Sequence, residues 1–266
     1  MARPYHILTY KKAALGAGGR PCTIIAHRGA SACYPENTLS SFKGAIAQDA
    51  DMAEMDVQLT ADGEVVVFHD AKISRCTNGR GRLKTHTLAQ LKQLDAGGWF
   101  HERFSGEKIP TLAEVLRMCR GRIAVNIEIK ADAVTDAVRG GIEEKCLKMV
   151  ELYGMCGHAV FSSFDPRAVL HIRQINPRAP VAVLFDKKND DGRPPSEIVA
   201  ALGADSFNCS RLELTGKRLA DLKEHNIPVN VYSVNDEENM KKLIARGVDG
   251  IFTDRPDVLR RVLEDF

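Results

Sequence analysis

Residues 159–185 read AVFSSFDPRAVLHIRQINPRAPVAVLF, and this stretch decides the fold. Its two apolar runs, Ala159–Ser162 and Val181–Phe185, have the length and composition of buried strands. Between them, Pro166–Ile175 has the apolar spacing of an amphipathic helix. A strand, a helix and a second strand in this order predict a βαβ unit with parallel strands.

The same pattern continues outward from this unit in both directions. In the C-terminal half, successive strands begin about 20–25 residues apart, which is the size of one compact βα unit. Eight strands alternating with eight helices predict an α/β fold, a TIM (β/α)₈ barrel, for which 266 residues is an ordinary length. The six other predicted strands are Thr23–Ala26, Glu54–Leu59, Ala124–Ile129, Ser206–Cys209, Val229–Val234 and Gly250–Thr253.

Several helix boundaries have their own signals. Thr111 and Glu114 have the spacing of a capping box, in which each side chain bonds the backbone of the other. Gly247 predicts the end of the helix before it, because glycine adopts positive φ without strain. The longest predicted helix is Ala133–Tyr153.

The chain is predicted to form one domain behind a leader. Residues 1–21 show no strong pattern and predict a flexible N-terminal leader, while residues 22–266 predict a single barrel domain. Residues 60–110 break the alternation with a hairpin-like run at Glu64–Phe68 and a helix near Leu88–Leu94. This segment predicts a small insertion after the second strand, at the C-terminal mouth where barrel enzymes build their sites.

The composition excludes some classes of function. The net charge of +2 gives no basic field for nucleic acid. The seven cysteines include no C-x-x-C pair, which argues against a zinc knuckle or a disulfide framework. Reduced thiols predict a cytoplasmic protein. No run of the sequence approaches the roughly 20 apolar residues of a membrane span.

Polar residues alternate with apolar ones in two of the predicted strands. Glu54 and Asp56 lie two residues apart, so both point to the same face, and Asn126, Glu128 and Lys130 repeat the alternation. An edge strand with its acids in solvent is one interpretation. If the face is the barrel interior, the buried carboxylates need a cation to neutralise them. Glu54, Asp56 and Glu128 then predict a site for one divalent cation, Mg²⁺ or Ca²⁺, which prefer oxygen ligands.

Two histidines and two cations complete the candidate site. His27 and Arg28 directly follow the first predicted strand, at the end where barrel chemistry takes place. His69 ends an apolar run in the insertion. Two histidines can serve as general acid and general base near neutral pH, and Arg28 and Lys130 can hold a phosphate. With a metal, this set predicts cleavage of a phosphate ester.

Ordered motifs run along the chain from about Ile24 to Asp257. They are IAHRGA at 25–30, PENT at 35–38, EMDVQLT at 54–60, VVFHD at 66–70, TNG at 77–79, IPTL at 109–112, NIEIK at 126–130 and GVDGIFTDRP at 247–256. In these motifs and their order the chain resembles the glycerophosphodiester phosphodiesterase family. The resemblance implies a TIM barrel with an inserted subdomain and hydrolysis of glycerophosphodiesters, such as glycerophosphocholine or glycerophosphoethanolamine, to sn-glycerol 3-phosphate and an alcohol.

The resemblance also implies roles for single residues. Glu36 and Asn37 match the loop that supports the first histidine. Tyr232 stands where the family usually has Trp, so we expect an aromatic substrate contact with an added hydroxyl. Asp49 stands at a usual Gly, in a left-handed turn. The implied catalytic residues are His27 and His69, the metal ligands Glu54, Asp56 and Glu128, and the phosphate contacts Arg28 and Lys130.

Two other interpretations stay open. A phospholipase D-like enzyme acting on lysophospholipids or sphingolipids needs a membrane-facing segment, for which the insertion offers Trp99, Phe100 and Phe104. A barrel that binds phosphorylated ligands without turnover has no need for the two histidines. We expect an enzyme with a small-molecule substrate, no nucleic-acid partner and no stable membrane insertion. The residues leave open the preferred alcohol, the metal, which histidine is the acid, and the oligomeric state.

Overall fold

A computed structural model describes residues 21–189 and 192–266. The predicted leader lies outside the described residues except for its last position. The strands found in the described ranges are β1 (Thr23–Ala26), β2 (Met52–Leu59), β3 (Val65–Val67), β4 (Ala124–Ile129), β5 (Ala159–Ser163), β6 (Val181–Leu184), β7 (Ser206–Ser210), β8 (Val229–Tyr232) and β9 (Gly250–Thr253).

Eight of these strands close into a parallel barrel. β1 pairs in parallel with β2 on one side and with β9 on the other. The remaining neighbours pair in parallel in the order β2-β4-β5-β6-β7-β8-β9. The predicted TIM barrel is therefore confirmed.

Helices follow the barrel strands and cover the outside of the sheet. Two of them, α2 and α3, lie between β2 and β4, and the short α2 belongs to the insertion. The α-helices in the part of the chain that the structure covers are α1 (Leu39–Ala47), α2 (Leu88–Leu91), α3 (Leu112–Cys119), α4 (Ile142–Leu152), α5 (Pro166–Ile175), α6 (Pro195–Leu202), α7 (Gly216–Glu224), α8 (Glu237–Arg246) and α9 (Pro256–Glu264).

Local sequence signals explain where several elements begin and end. Thr111 Oγ1 accepts from the N–H of Glu114 at 3.2 Å, and the Glu114 carboxylate accepts from the N–H of Thr111 at 2.7 Å, so the capping box is confirmed. Gly247 ends α8 at φ 74°, and Asp49 adopts φ 54° in the turn before β2. The predicted helix Ala133–Tyr153 was wrong at its start. α4 begins only after Gly140 and Gly141, because glycine disfavours a helix interior.

Alternation along the strands divides the core into two layers. Outward-facing residues such as Met55, Val57 and Ile127 pack under the helices. The inside of the barrel holds a smaller apolar cluster, and above it, toward the C-terminal ends of the strands, the inward positions become polar. The apolar interior residues are Ile25, Met52, Val160, Ala182 and Phe252.

The insertion after β2 has a core of its own. β3 pairs antiparallel with the C-terminal half of β2, with Val67 opposite Val57 and Val65 opposite Leu59. This pairing fixes the insertion at the C-terminal mouth of the barrel. The predicted helix near Leu88–Leu94 is shorter, ending at Leu91. The buried residues of the insertion core are Val66, Phe68, Ile73, Cys76, Leu83, Leu91, Ala96 and Ile109.

Aromatic rings connect the insertion to the loop after β1. Tyr34 in that loop packs on Phe104 at a centroid distance of 5.6 Å, and Phe104 packs on Phe100 at 5.8 Å. Phe100 in turn meets Trp99 edge to face at 5.7 Å.

In residues 21–189 and 192–266, no helix is both long and apolar enough to cross a membrane.

Candidate active site

Three carboxylates meet inside the barrel at its C-terminal end. In the register of β2 and β4, Glu54 lies beside Asn126 and Asp56 beside Glu128. Each of Glu54, Asp56 and Glu128 offers an oxygen within 4.8 Å of the oxygens of the other two. Glu54 and Asp56 are fully buried. The structure therefore brings together the carboxylates that the sequence indicates.

The electrostatics of this cluster fit a divalent cation. Burial raises the pKa of Glu54, and the neighbouring charge of Asp56 raises it further. Burial and Asp56 also raise the pKa of Glu128. Among the described residues, Glu54 Oε1 has no hydrogen-bond partner. A buried, oxygen-only cluster with an unpaired acceptor suits Mg²⁺ or Ca²⁺.

A tight turn after β1 places His27 and Arg28 beside the cluster. Arg28 and Gly29 adopt φ of 56° and 80°, and the Arg28 N–H donates to Glu54 Oε2 at 2.8 Å. A Cβ on Gly29 would lie 2.5 Å from Ser41 Oγ and 2.6 Å from the Ser41 carbonyl carbon. Only glycine fits there, since these distances are shorter than any van der Waals contact and its φ is positive.

His27 is oriented by an acid that directly follows the last barrel strand. Its Nδ1 lies 2.7 Å from Asp254 Oδ1, and Asp254 also accepts from Ser31 and Asn235. Burial lowers the pKa of His27, but the bond to Asp254 and the charge of Glu54 outweigh it, so the pKa is raised. Because Nδ1 is engaged, Nε2 is the ring atom that can exchange a proton with a substrate.

His69 reaches the same site from the opposite direction. It follows β3, which runs antiparallel to β2, so it descends toward the barrel mouth and does not follow a barrel strand. The Phe68 N–H donates to the Asp56 carbonyl at 2.9 Å, and His69 Nδ1 lies 2.6 Å from Asp70 Oδ1. Burial and the charges of Lys130 and Arg28 lower the pKa of His69 against the opposing effect of Asp56.

Asp56 lies between the cationic side chains of Arg28 and Lys130. Lys130 Nζ lies 3.2 Å from Asp56 Oδ1 and 2.7 Å from Glu128 Oε1. Arg28 Nε lies 3.5 Å from Asp56 Oδ2, while its Nη1 bonds Glu36. Burial raises the pKa of Asp56, but Lys130, His69 and Arg28 outweigh it and lower the pKa to about 2. Asp56 is therefore ionised, and both cations lie next to the cluster.

Tyr232 lies at the mouth on the far wall of the barrel. Its hydroxyl donates to the Phe185 carbonyl at 2.5 Å. Its ring meets Phe164 edge to face at 5.9 Å and Phe252 at 6.3 Å. The hydroxyl is thus engaged within the protein.

Four supporting residues were not assigned these contacts from the sequence. Asp70 directly follows His69, which is a signal that could have been used. Asp254 belongs to the GVDGIFTDRP stretch, but its partner His27 lies 227 positions away. Asn37 donates from Nδ2 to Asp56 Oδ2 at 2.8 Å, and its N–H donates to the Arg28 carbonyl at 3.0 Å, so it supports both an acid of the cluster and the turn after the first histidine. Glu36 likewise supports Arg28.

The arrangement brings two imidazoles next to a carboxylate cluster and two basic side chains. The two imidazoles are each held at Nδ1 by a carboxylate of their own. They flank the three carboxylates of the cluster and the cationic side chains of Arg28 and Lys130 at one barrel mouth. The pKa of His27 is raised and that of His69 is lowered, and opposite shifts of this kind separate a proton donor from a proton acceptor. This chemistry is that of phosphate ester cleavage.

Comparison with known proteins agrees with this geometry. The model of the glycerophosphoryl diester phosphodiesterase family matches residues 27–258. The chain is 37% identical over 237 residues to the glycerophosphodiester phosphodiesterase of Caldanaerobacter subterraneus subsp. tengcongensis, covering 89% of this chain and 95% of that one. It is 32% identical over 260 residues to the Bacillus subtilis enzyme of the same name, covering 91% and 86%.

Solved structures give the same result. An Oleispira antarctica phosphodiesterase in complex with the product sn-glycerol 3-phosphate is similar with a TM-score of 0.80 and 29% identity, covering 91% of this chain and 96% of that one. A Silicibacter pomeroyi structure named as a glycerophosphoryl diester phosphodiesterase is similar with a TM-score of 0.85 and 27% identity, covering 95% of this chain and 97% of that one. This chain therefore belongs to the glycerophosphoryl diester phosphodiesterase family and is a phosphodiesterase.

Proposed function

We propose that this enzyme hydrolyses glycerophosphodiesters to sn-glycerol 3-phosphate and an alcohol, using His27 and His69 as its acid–base pair. The observation that carries the proposal is the placement of two carboxylate-bound imidazoles beside three carboxylates and two cations. A phosphodiester needs one proton removed from the nucleophile and one delivered to the leaving alkoxide. The product in the similar Oleispira antarctica structure supports this substrate class.

The cofactor in this proposal is one divalent cation, Mg²⁺ or Ca²⁺, held by Glu54, Asp56 and Glu128. When bound, it polarises a phosphoryl oxygen and offsets the negative charge of the cluster. Asn37 holds Asp56 in place through its amide. The carboxylates are positioned by adjacent strands of the barrel, so their spacing is set by the sheet and not by a loop.

The two histidines act on opposite sides of the reaction. The raised pKa of His27 favours it as the proton donor to the leaving alcohol, and the lowered pKa of His69 favours it as the base. Asp254 and Asp70 fix the orientation of the rings through Nδ1. Each ring then presents Nε2 to the substrate.

Arg28, Lys130 and Tyr232 bind the substrate in this proposal. Arg28 and Lys130 supply the local positive charge for the phosphate, since the net charge of the chain is only +2. The ring of Tyr232 offers an apolar wall for the carbon skeleton of the glycerophosphodiester. Its hydroxyl serves the fold through Phe185.

Replacing Lys130 by Met is expected to weaken transition-state binding by about 2–5 kcal/mol, the scale for removing one partner of a buried charge contact. Lys130 also neutralises Asp56 and Glu128, so its loss should leave metal affinity unchanged or tighter. The measurements are kcat/KM, inhibition by sn-glycerol 3-phosphate and a metal titration. Lys92→Met is the matched control, because Lys92 pairs with Glu114 outside the site. An unchanged inhibition constant would exclude the phosphate contact.

The cellular setting is also part of the proposal. The seven cysteines are free thiols, which fits a reducing compartment such as the cytoplasm. The reaction would then serve lipid and glycerol metabolism by recovering glycerol phosphate from deacylated lipids. The partner is the small-molecule substrate.

The aromatic residues of the insertion have a structural explanation. Phe104 lies between Tyr34 and Phe100, and Arg103 stacks over its ring at 4.6 Å. These contacts tie the insertion to the loop after β1. They give no specific support to a membrane-bound phospholipase D-like activity.

The function is tested by incubating the metal-replete enzyme with a panel of glycerophosphodiesters and following products by phosphorus NMR. We expect sn-glycerol 3-phosphate, and the time course also reveals whether a cyclic phosphate forms first. The His27→Ala/His69→Ala double variant is the control for contaminating activity. Turnover of none of the glycerophosphodiesters, or cleavage of only an added lysophospholipid to lysophosphatidic acid and its alcohol, would overturn the proposal.

A further inference from the structure

Arg75 in the insertion binds two carboxylates at the mouth of the site. Its Nε and Nη2 donate to the two oxygens of Asp70 at 2.6 and 3.0 Å. Its Nη1 and Nη2 donate to the two oxygens of Glu36 at 2.8 and 2.7 Å. Four of the five N–H donors of the guanidinium are therefore used. Both carboxylates are held in the bidentate geometry that fixes direction as well as distance.

Each of these carboxylates holds one residue of the proposed catalytic set. Asp70 bonds Nδ1 of His69 at 2.6 Å, and Glu36 bonds Nη1 of Arg28 at 2.9 Å. Glu36 belongs to the loop after β1, whereas Asp70 follows β3. One arginine thus spans two segments that the barrel itself does not hold together.

The backbone that carries Arg75 is anchored in the core of the insertion. Ile73 and Cys76 are buried on either side of it. The Ile73 N–H donates to the Gly81 carbonyl at 3.1 Å, and Thr77 Oγ1 donates to the Ile73 carbonyl at 2.7 Å. The arginine is therefore presented from a packed turn, and its position depends on the insertion.

Folding stability is a weak explanation for this contact. The side chain of Arg75 is 45% exposed, and exposed ion pairs contribute little to the free energy of unfolding. A direct phosphate contact is also a weak explanation, because most of the guanidinium donors are already taken. The remaining explanation is the orientation of the groups that its two partners hold.

We propose that Arg75 is a positioning residue that sets His69 and Arg28 relative to each other by clamping Asp70 and Glu36. The inference rests on the proposed roles of His69 and Arg28. It gives the insertion a defined part in the reaction, since the insertion supplies His69 itself and the arginine that links His69 to the loop after β1. Replacing a residue that orients a functional side chain through a hydrogen-bonded partner usually lowers activity by roughly 10- to 100-fold.

The test is steady-state kinetics on Arg75→Ala, Arg75→Lys and Arg103→Ala. We expect Arg75→Ala to lower kcat/KM by about 10- to 100-fold, with the Tm close to wild type. Lysine is a point charge and cannot make two bidentate contacts, so Arg75→Lys should stay well below wild type. Added guanidinium ion should restore part of the Arg75→Ala activity. Arg103→Ala, which loses an insertion arginine bound to the Cys33 carbonyl, should keep full activity.

Single-arm variants show through which group Arg75 acts. Asp70→Asn should mainly lower kcat through His69, and Glu36→Gln should mainly raise KM through Arg28. In the Asp70→Asn/Glu36→Gln background, Arg75→Ala should cost little more, because coupled residues are not additive. An undiminished cost there would assign Arg75 to the substrate and overturn the inference. So would wild-type kinetics for Arg75→Ala, whereas an inactive wild-type enzyme would count against the proposed function itself.

Discussion

Glu54→Gln is expected to abolish turnover and to remove, at the same time, the thermal stabilisation that Mg²⁺ or Ca²⁺ gives the wild-type chain. The amide keeps the size of the side chain but removes one of three charges from a buried cluster. The fall in kcat/KM should exceed the roughly 10- to 100-fold that an outer-sphere partner costs. For the wild type, a cation at about 100 times its Kd adds about 2.7 kcal/mol to the free energy of unfolding.

The pH dependence of this stabilisation follows from the pKa of Glu54. Burial and Asp56 raise that pKa above its ordinary 4.5. A carboxyl with a raised pKa binds its proton more tightly in the folded state, so the metal-free fold loses stability as pH rises from the unfolded value toward the folded one. A cation binds the ionised form and displaces the proton. The metal-dependent rise in Tm should therefore grow as pH rises through the raised pKa.

Calorimetry of wild type and Glu54→Gln, with and without metal, measures the metal-dependent stabilisation and its pH dependence. Steady-state kinetics of the two proteins measures the loss of turnover. Glu64→Gln is the control, because Glu64 is exposed in the turn between β2 and β3. It should keep activity and the metal-dependent Tm shift. Full wild-type activity after exhaustive chelation, or an equal metal shift in Glu54→Gln, would contradict the assignment.

The barrel and the carboxylate cluster could be predicted because strand periodicity is rigid. Side chains two apart share a face, so Glu54 and Asp56 had to lie together once Met55 and Val57 packed under the helices. The parallel pairing of β2 and β4 then brought Glu128 beside Asp56. This part of the site depended on the register of β2 against β4 and on the face being the barrel interior, and the closed barrel supplies both.

Apart from the contact between the adjacent residues His69 and Asp70, the supporting contacts could not be predicted, because they join segments distant in sequence. The antiparallel course of β3 decides how His69 approaches the site, and a hairpin signal does not say which edge the hairpin joins. The bond between Tyr232 and the Phe185 carbonyl spans 47 positions. Arg75 reaches Glu36 across 39 positions, and the reach of an exposed arginine depends on the folded surface around it.

His27→Ala and His69→Ala are each expected to lower kcat by about 10²- to 10⁴-fold, the usual contribution of a positioned acid or base. Both rings are held at Nδ1 by a carboxylate, so both are prepared to exchange a proton at Nε2. His225→Ala is the matched control, since His225 directly follows α7 and its ring contacts Asp221 of that helix, away from the site. It should keep wild-type kinetics.

The pH profile of the wild type should be bell-shaped, with limbs that belong to different histidines. With His69 as base, activity falls as pH drops through its pKa, which is lowered from 6.5. With His27 as acid, activity falls as pH rises through its pKa, which is raised from 6.5. The two shifts move the limbs apart and widen the range of full activity. His69→Ala should lose the acidic limb, and His27→Ala the alkaline limb.

A change of leaving group assigns the two roles independently of the pH profile. A p-nitrophenol leaving group departs as a weakly basic phenolate and needs little protonation. The variant without the general acid should therefore recover most of its rate on a p-nitrophenyl phosphodiester, while the variant without the base should not. We expect recovery in His27→Ala and none in His69→Ala. Recovery in His69→Ala alone would exchange the roles, and substantial turnover of a natural diester by the double variant would refute the two-histidine mechanism.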